Sequence, residues 1–109
     1  MVTLEEFKKI EVRVGQILSA EKVPDTDKLL KLSVDLGEGS PRTIVSGIAP
    51  YFSDLSLLLN KKCMFVANLE PRTIKGIESQ GMIFALSTEN GSFALVAPEK
   101  DMPLGALAK

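Results

Sequence analysis

Leu30-Lys31-Leu32-Ser33-Val34-Asp35-Leu36 alternates apolar and polar side chains without a break. A strand with that period places Leu30, Leu32, Val34 and Leu36 on one face and turns Lys31, Ser33 and Asp35 to the other. Upstream, Ile10, Val12 and Val14 alternate with Glu11 and Arg13, which predicts a long first strand reaching about Glu21 with a bulge or coil at Gly15. Pro24-Asp25-Thr26-Asp27 is a turn between the two strands. Downstream, Gly37-Glu38-Gly39-Ser40-Pro41 turns the chain into a third strand over Arg42 to Ile48, and Ala49 to Asn60 is expected to hold a short helix capped by Ser53. Lys62 to Leu69 is apolar at nearly every position, which predicts a fourth strand buried on both faces. Met82 to Leu86 and Phe93 to Ala97 complete the strands, joined through Thr88-Glu89-Asn90-Gly91. Ahead of them all, Thr3-Leu4-Glu5-Glu6 reads as a capping box that opens a short helix ending near Ile10.

Three strands, a helix and then further strands is the order of an OB-fold. The expected architecture is all-β: a five-stranded Greek-key barrel with short helices and an additional C-terminal strand, filling residues 1–109 as a single domain. An OB-fold binds its ligand across its second and third strands, between the loops joining strands one to two and four to five. Here the first loop carries Lys22 and Lys28, the second strand carries Lys31, and the second loop carries Arg72 and Lys75. Cations distant in sequence would thus meet on one groove.

The second loop is the most informative stretch for function. Asn68-Leu69-Glu70-Pro71-Arg72-Thr73-Ile74-Lys75-Gly76-Ile77-Glu78-Ser79-Gln80-Gly81-Met82 sets two cations among small polar side chains on a glycine-rich turn between two apolar runs. A surface that grips a phosphate backbone needs that mixture, although a solvated connection can also carry it. Arg72 suits bidentate phosphate pairing and Lys75 acts as a point charge; the structural alternative pairs Arg72 with Glu70 or Glu78. Lys28, Lys31 and Arg42 are further candidate contacts. Asn68, Ser46 and Ser79 can hydrogen-bond to ribose hydroxyls, phosphates or base edges, or tie the loop to itself. Met82 offers an apolar contact for an unstacked base, or belongs to the core. Gly76 and Gly81 permit unusual backbone angles, while Arg13, early in the first strand, reads as structural.

Composition excludes more than it assigns. The chain has no histidine and one cysteine, which removes the usual general base, the His-dependent nucleophiles and a zinc site, so no enzyme activity, metal or cofactor is expected. Asp25, Asp27, Asp35 and Glu38 are interleaved with lysines and turn residues, and Cys63 lies in the apolar run Cys63-Met64-Phe65-Val66-Ala67 as a small buried side chain. No run is long enough to cross a bilayer, and Met1-Val2-Thr3-Leu4-Glu5-Glu6 is acidic where a secretory signal is basic then apolar, so a cytoplasmic address is expected. Formal net charge is −1, unlike a strongly basic nucleic-acid module. Residues 61 to 76 nevertheless read as a local basic stripe, with Lys61, Lys62, Arg72 and Lys75 against Glu70. Such a stripe on a balanced body suits RNA bound by shape with modest, salt-sensitive affinity. With no Trp, one Tyr and five Phe, of which Phe65 and Phe84 are expected in the core, multi-base stacking is poorly supplied.

Five ordered blocks carry a family resemblance over nearly the whole chain: Phe7 to Gly15, Asp27-Lys28-Leu29-Leu30, Ile44-Val45-Ser46-Gly47-Ile48, Asn68-Leu69-Glu70-Pro71-Arg72 and Gly76 to Met82. The chain resembles the tRNA-binding domain of the methionyl-tRNA synthetase beta-subunit family, which also exists as a free-standing structure-specific tRNA-binding protein. Thr73 departs from the pattern, since relatives often have another basic residue after the arginine. The resemblance implies a non-catalytic module that recognises folded tRNA by shape and backbone and assists the methionyl-tRNA synthetase catalytic chain. It also implies a homodimer, for which Met102-Pro103-Leu104-Gly105-Ala106-Leu107 is a candidate interface; alternatively that tail closes the barrel bottom. The rival is a secretion-associated, polypeptide-binding chaperone branch of the same fold. That branch tends to lose the Ser-Gly-Ile and Glu-Ser-Gln-Gly-Met patterns, which this chain keeps at Ser46-Gly47-Ile48 and Glu78-Ser79-Gln80-Gly81-Met82.

Overall fold

The computed structural model describes residues 1–109. A one-turn helix α1 (Leu4–Phe7) precedes strands β1 (Val12–Lys22), β2 (Leu30–Asp35) and β3 (Arg42–Ser46). Two 3₁₀ turns (Ala49–Tyr51 and Leu55–Leu58) lead to β4 (Lys62–Val66), and β5 (Arg72–Ile74), β6 (Ile77–Ser79), β7 (Met82–Ile83), β8 (Ala85–Ser87) and β9 (Phe93–Leu95) follow. The capping box forms as expected: the Thr3 hydroxyl accepts from the Glu6 amide and the Glu6 carboxylate from the Thr3 amide, both at 3.1 Å.

A five-stranded antiparallel sheet in the order β3-β2-β1-β4-β7 curls into the nearly closed barrel of an OB-fold. The length of β1 makes this possible. Its first half pairs with β4, from Val12↔Val66 to Gln16↔Lys62, and its second half with β2, from Gln16↔Asp35 to Lys22↔Leu30. A bulge between Ile17 and Ser19 sits just past the handover, bending the strand where the sheet must curl. The expected bulge at Gly15 is corrected: the ladder is regular there. A Cβ on Gly15 would lie 2.8 Å from the Phe65 ring and 2.9 Å from Leu36 Cδ2, so glycine is required by close packing.

The alternation read from the sequence becomes the core. Leu30, Leu32 and Val34 are fully buried, together with Ile17, Ile44, Leu58, Cys63 and Phe65. Burial pushes the Cys63 thiol pKa up, despite the opposing charge of Lys61, so it is a neutral packing group. β4 is shorter than expected, ending at Val66, and only partly covered on its second face, where Lys62 and Met64 are half-buried. Phe84 is at the surface rather than in the core. The expected single helix between β3 and β4 is two 3₁₀ turns, and the cap is Asp54 rather than Ser53: its carboxylate accepts from the Ser56 amide and hydroxyl. Those bonds hold the Asp54 pKa below its ordinary value.

The C-terminal tail completes the sheet. Beside the first half of β1, the Val14 amide donates to Ala106 O (2.9 Å), the Gly105 amide to Val14 O and the Ala108 amide to Val12 O (both 2.8 Å). The tail thus takes the edge of β1 that β2 leaves open, and protects its backbone groups. Two cations fasten it. Arg13 donates to Gly105 O (2.8 Å) while pairing with Glu11, the structural role expected of it, and Lys62 Nζ bonds Asp101 (2.7 Å) and Met102 O (2.8 Å). The basic stripe is therefore split: Lys61 and Lys62 stand at one end of β4, and the Arg72–Lys75 segment follows the other.

Candidate nucleic-acid interface

The stretch expected to be a loop contains a hairpin. β5 and β6 pair through Arg72↔Ser79, Thr73↔Glu78 and Ile74↔Ile77, leaving Lys75-Gly76 as a two-residue tip. Both tip residues have positive φ, 51° and 80°, the geometry whose twist matches antiparallel strands. The signal in the sequence was Gly76 between Ile74 and Ile77. It was masked because the first tip position carries Lys, where Asn, Asp or Gly is usual.

Side chains hold the hairpin in place. At its base the Asn68 amide accepts from the Glu11 N–H (2.8 Å) and donates to Lys9 O (2.6 Å). At the return, the buried Ser79 Oγ accepts from the Val45 amide (2.9 Å) and donates to Gly81 O (3.2 Å). Gln80 both donates its backbone N–H to Thr43 O (2.8 Å) and accepts the Thr43 amide on its side-chain oxygen (3.1 Å). Arg42 crosses the same gap, donating to Gln80 O (3.1 Å) and Ala67 O, while Glu38 receives its Nε and Nη2 at 2.8 Å each. Those hydrogen bonds from Arg42, assisted by its charge, hold the Glu38 pKa below the ordinary value. Gly81, at φ 138°, passes so close to β4 that a Cβ would sit 2.9 Å from Val66 O.

This seam closes the barrel and sets the hairpin's direction. Thr43 faces Gln80 and Val45 faces Ser79, so β6 runs antiparallel along β3 and its outer side covers Val45, which is buried although it alternates with the core residue Ile44. The Lys75-Gly76 tip is accordingly directed toward the end of β3. There Ser46 pairs with Leu30, Lys31 pairs with Val45, and Lys28 O receives the Ala49 amide (3.0 Å).

The fold places Lys28, Lys31 and Ser46 at the end of β3 toward which the hairpin carrying Arg72 and Lys75 runs, and engages three of the other expected contacts in its own construction. The polar atoms of Arg42, Asn68 and Ser79 are bonded within the protein, where they brace the hairpin and its roots. Arg72 and Lys75 are exposed and carry no ion pair, so the alternative of Arg72 with Glu70 or Glu78 is not formed. Lys31 lies 3.5 Å from Glu21 in an exposed pair, an interaction weak enough to be exchanged for a ligand. Met82, on β7 beside Val66, is half-exposed rather than core. Gln80, the side chain that stitches β3 to the hairpin, was not singled out from the sequence; only its position beside Ser79 hinted at it.

A five-stranded barrel of this topology, with a cationic hairpin inserted between its fourth and fifth barrel strands, defines an OB-fold binding domain. The sequence profile of the family described as "Putative tRNA binding domain" matches residues 12–107. The chain belongs to that family. It is 44% identical over 108 residues to a methionine–tRNA ligase of Porphyromonas gingivalis, an alignment that covers 99% of this chain and 16% of the ligase. The chain thus spans about a sixth of such relatives. The crystal structure of a MetRS-related protein from Pyrococcus horikoshii superposes with a TM-score of 0.91 at 40% identity, covering 100% of this chain and 98% of that one. The chaperone CsaA of Bacillus anthracis superposes at 0.86 with 23% identity, covering 100% and 99%, a likeness of fold alone.

Proposed function

We propose that this chain is a single, non-catalytic OB-fold domain that binds folded tRNA in the cytoplasm and assists methionyl-tRNA synthetase. It would do so as the synthetase's C-terminal domain, as a beta subunit or as a factor acting in trans. The observation that carries the reading is the hairpin: Arg72 and Lys75 are exposed, unpaired and held on the barrel against β3, whose last residues pair with the Leu30–Lys31 start of β2. An arginine fork and lysine point charges on a rigid support suit phosphates at defined spacing. Tyr51 is stacked on Phe93 with ring centroids 3.9 Å apart, so the only tyrosine already has an aromatic partner, and recognition rests on backbone and shape more than on serial base stacking.

The test is a titration of intact tRNA, an acceptor minihelix and an unstructured RNA of equal length at low and moderate salt. Preference for intact tRNA is expected, with affinity falling as salt rises. Equal binding to all three, or to none, overturns the reading and favours the polypeptide-binding alternative.

The same reading includes a homodimer. Leu4, Phe7, Ile10 and Leu107 are all 44% exposed or more and, with Lys8, Ala108 and Lys109, line an apolar groove of about 450 Å³ between α1 and the tail. The tail's backbone is engaged with β1, while its Leu107 side chain remains at this surface, which supports its reading as an interface element. A contiguous apolar face on so small a domain suits a self-complementary contact, and two grooves on one particle would raise affinity for tRNA by avidity. Light scattering should give a dimer mass for the native chain and a monomer mass for Phe7→Ser/Leu107→Ser; a native monomer at tens of micromolar would exclude the dimer.

A further inference from the structure

We propose that Arg42 and Glu38 are positioning residues for RNA binding: they hold the Arg72–Lys75 hairpin against β3 instead of meeting phosphate themselves. The inference rests on the reading of that hairpin as the tRNA contact. Its basis is an unusual feature of the barrel. Four of the gaps between neighbouring strands are closed by backbone ladders, but the gap from β3 to the β6–β7 segment has one backbone bond, Gln80 N–H to Thr43 O. The remaining links run through side chains of Ser79, Gln80 and Arg42.

Arg42 is the element that ties three segments at once. Its Nη1 reaches Ala67 O at the end of β4 and Gln80 O at the hairpin's return, while Glu38, four residues earlier, fixes the other edge of the guanidinium with two bonds. The two carbonyls belong to the two roots of the Ala67–Gln80 segment, so the fork fixes the spacing of those roots. A lysine has the charge but no planar fork, and cannot serve both carbonyls and a bidentate carboxylate together. The Arg42 side chain is three-quarters buried and four of its five N–H groups are taken by acceptors, which leaves it poorly placed to meet a phosphate.

The sign of one substitution separates positioning from direct contact. Glu38→Gln removes the negative charge that pairs with Arg42 and releases its guanidinium. If Arg42 were a phosphate ligand held back by Glu38, tRNA affinity would rise. Positioning requires the opposite, because the hairpin loses its brace: a fall of roughly 3- to 10-fold is expected for Glu38→Gln, and of about 10-fold for Arg42→Lys, both measured well below the melting temperature. Backbone exchange at Thr43, Val45 and Gln80 should quicken in both variants.

The deciding measurement is a double-mutant cycle against Arg72→Ala/Lys75→Asn at low salt, where weak binding stays measurable. If Arg42 and Glu38 act through the hairpin, their substitutions should have little further effect once the hairpin cations are gone. Tighter binding by Glu38→Gln, native affinity in Arg42→Lys, or full additivity in the cycle would each overturn the proposal. A native chain with no preference for intact tRNA would instead sink the functional reading beneath it, and the proposal with it.

Discussion

Arg72→Ala combined with Lys75→Asn should weaken binding of intact tRNA by about 30-fold or more and leave the fold in place. A charge-assisted hydrogen bond to phosphate contributes about 1.5–3 kcal/mol. Two such contacts at an exposed site, discounted for solvent screening, still amount to about 2 kcal/mol, and each 1.4 kcal/mol is a factor of about ten in affinity. Neither side chain has an ionic partner in the protein, so truncation leaves no orphaned carboxylate. Asparagine is the right replacement at Lys75 because φ there is 51°, a conformation that Asn tolerates better than Lys, so the turn should be kept or slightly strengthened. The plot of log affinity against log salt should flatten by about 1.5, as expected for two lost phosphate contacts. Unchanged affinity with an unchanged slope would remove the hairpin from the interface.

Phe65→Ala should produce the largest loss of stability, about 3–5 kcal/mol. Phe65 is fully buried on β4, its ring lies over the bare backbone of Gly15, and it is the largest of the fully buried side chains. Against a total of about 5–15 kcal/mol for a domain of this kind, that is a large share, and a fall in melting temperature of about 12–20 °C should accompany it. Gly15→Ala attacks the same contact from the other side and should cost about 1–3 kcal/mol by overpacking. The pair is also expected to be coupled: in Phe65→Ala the space vacated by the ring accommodates the new methyl, so Gly15→Ala should cost much less there than in the native chain. Urea unfolding of the four proteins measures all of this. Additive losses would show that Gly15 is required for its backbone and not for the ring above it.

The strands of the barrel were legible because each carries its own signal. Leu30 to Leu36 alternates along its length, and that pattern alone decides which face is buried, whatever the rest of the chain does. The capping box at Thr3 and the turn at Thr88 to Gly91 are likewise complete within a few residues. Errors arose where a residue type has two physical uses. Glycine serves bulges and close packing alike, so Gly15 was placed in the wrong one; Phe84 is apolar, but nothing local says that the barrel leaves it outside. At the candidate interface, the cations Arg72 and Lys75 were legible as a mixture unsuited to a core, whereas the hairpin that carries them was obscured by an atypical tip residue.

What the sequence determined by itself was the strands of the barrel, their faces and the segment rich in exposed cations and small polar side chains, because those follow from periodicity and turn chemistry over short spans. Tertiary structure alone decided which polar side chains are engaged in building the barrel and which remain free. Asn68 meets partners 57 and 59 residues away, Ser79 meets Val45 34 residues away, and Arg42 reaches carbonyls 25 and 38 residues on. An arginine that braces a seam and one that stays unpaired at the surface are the same residue in a sequence, and only the closing of the barrel gives the first its acceptors and leaves the second in water.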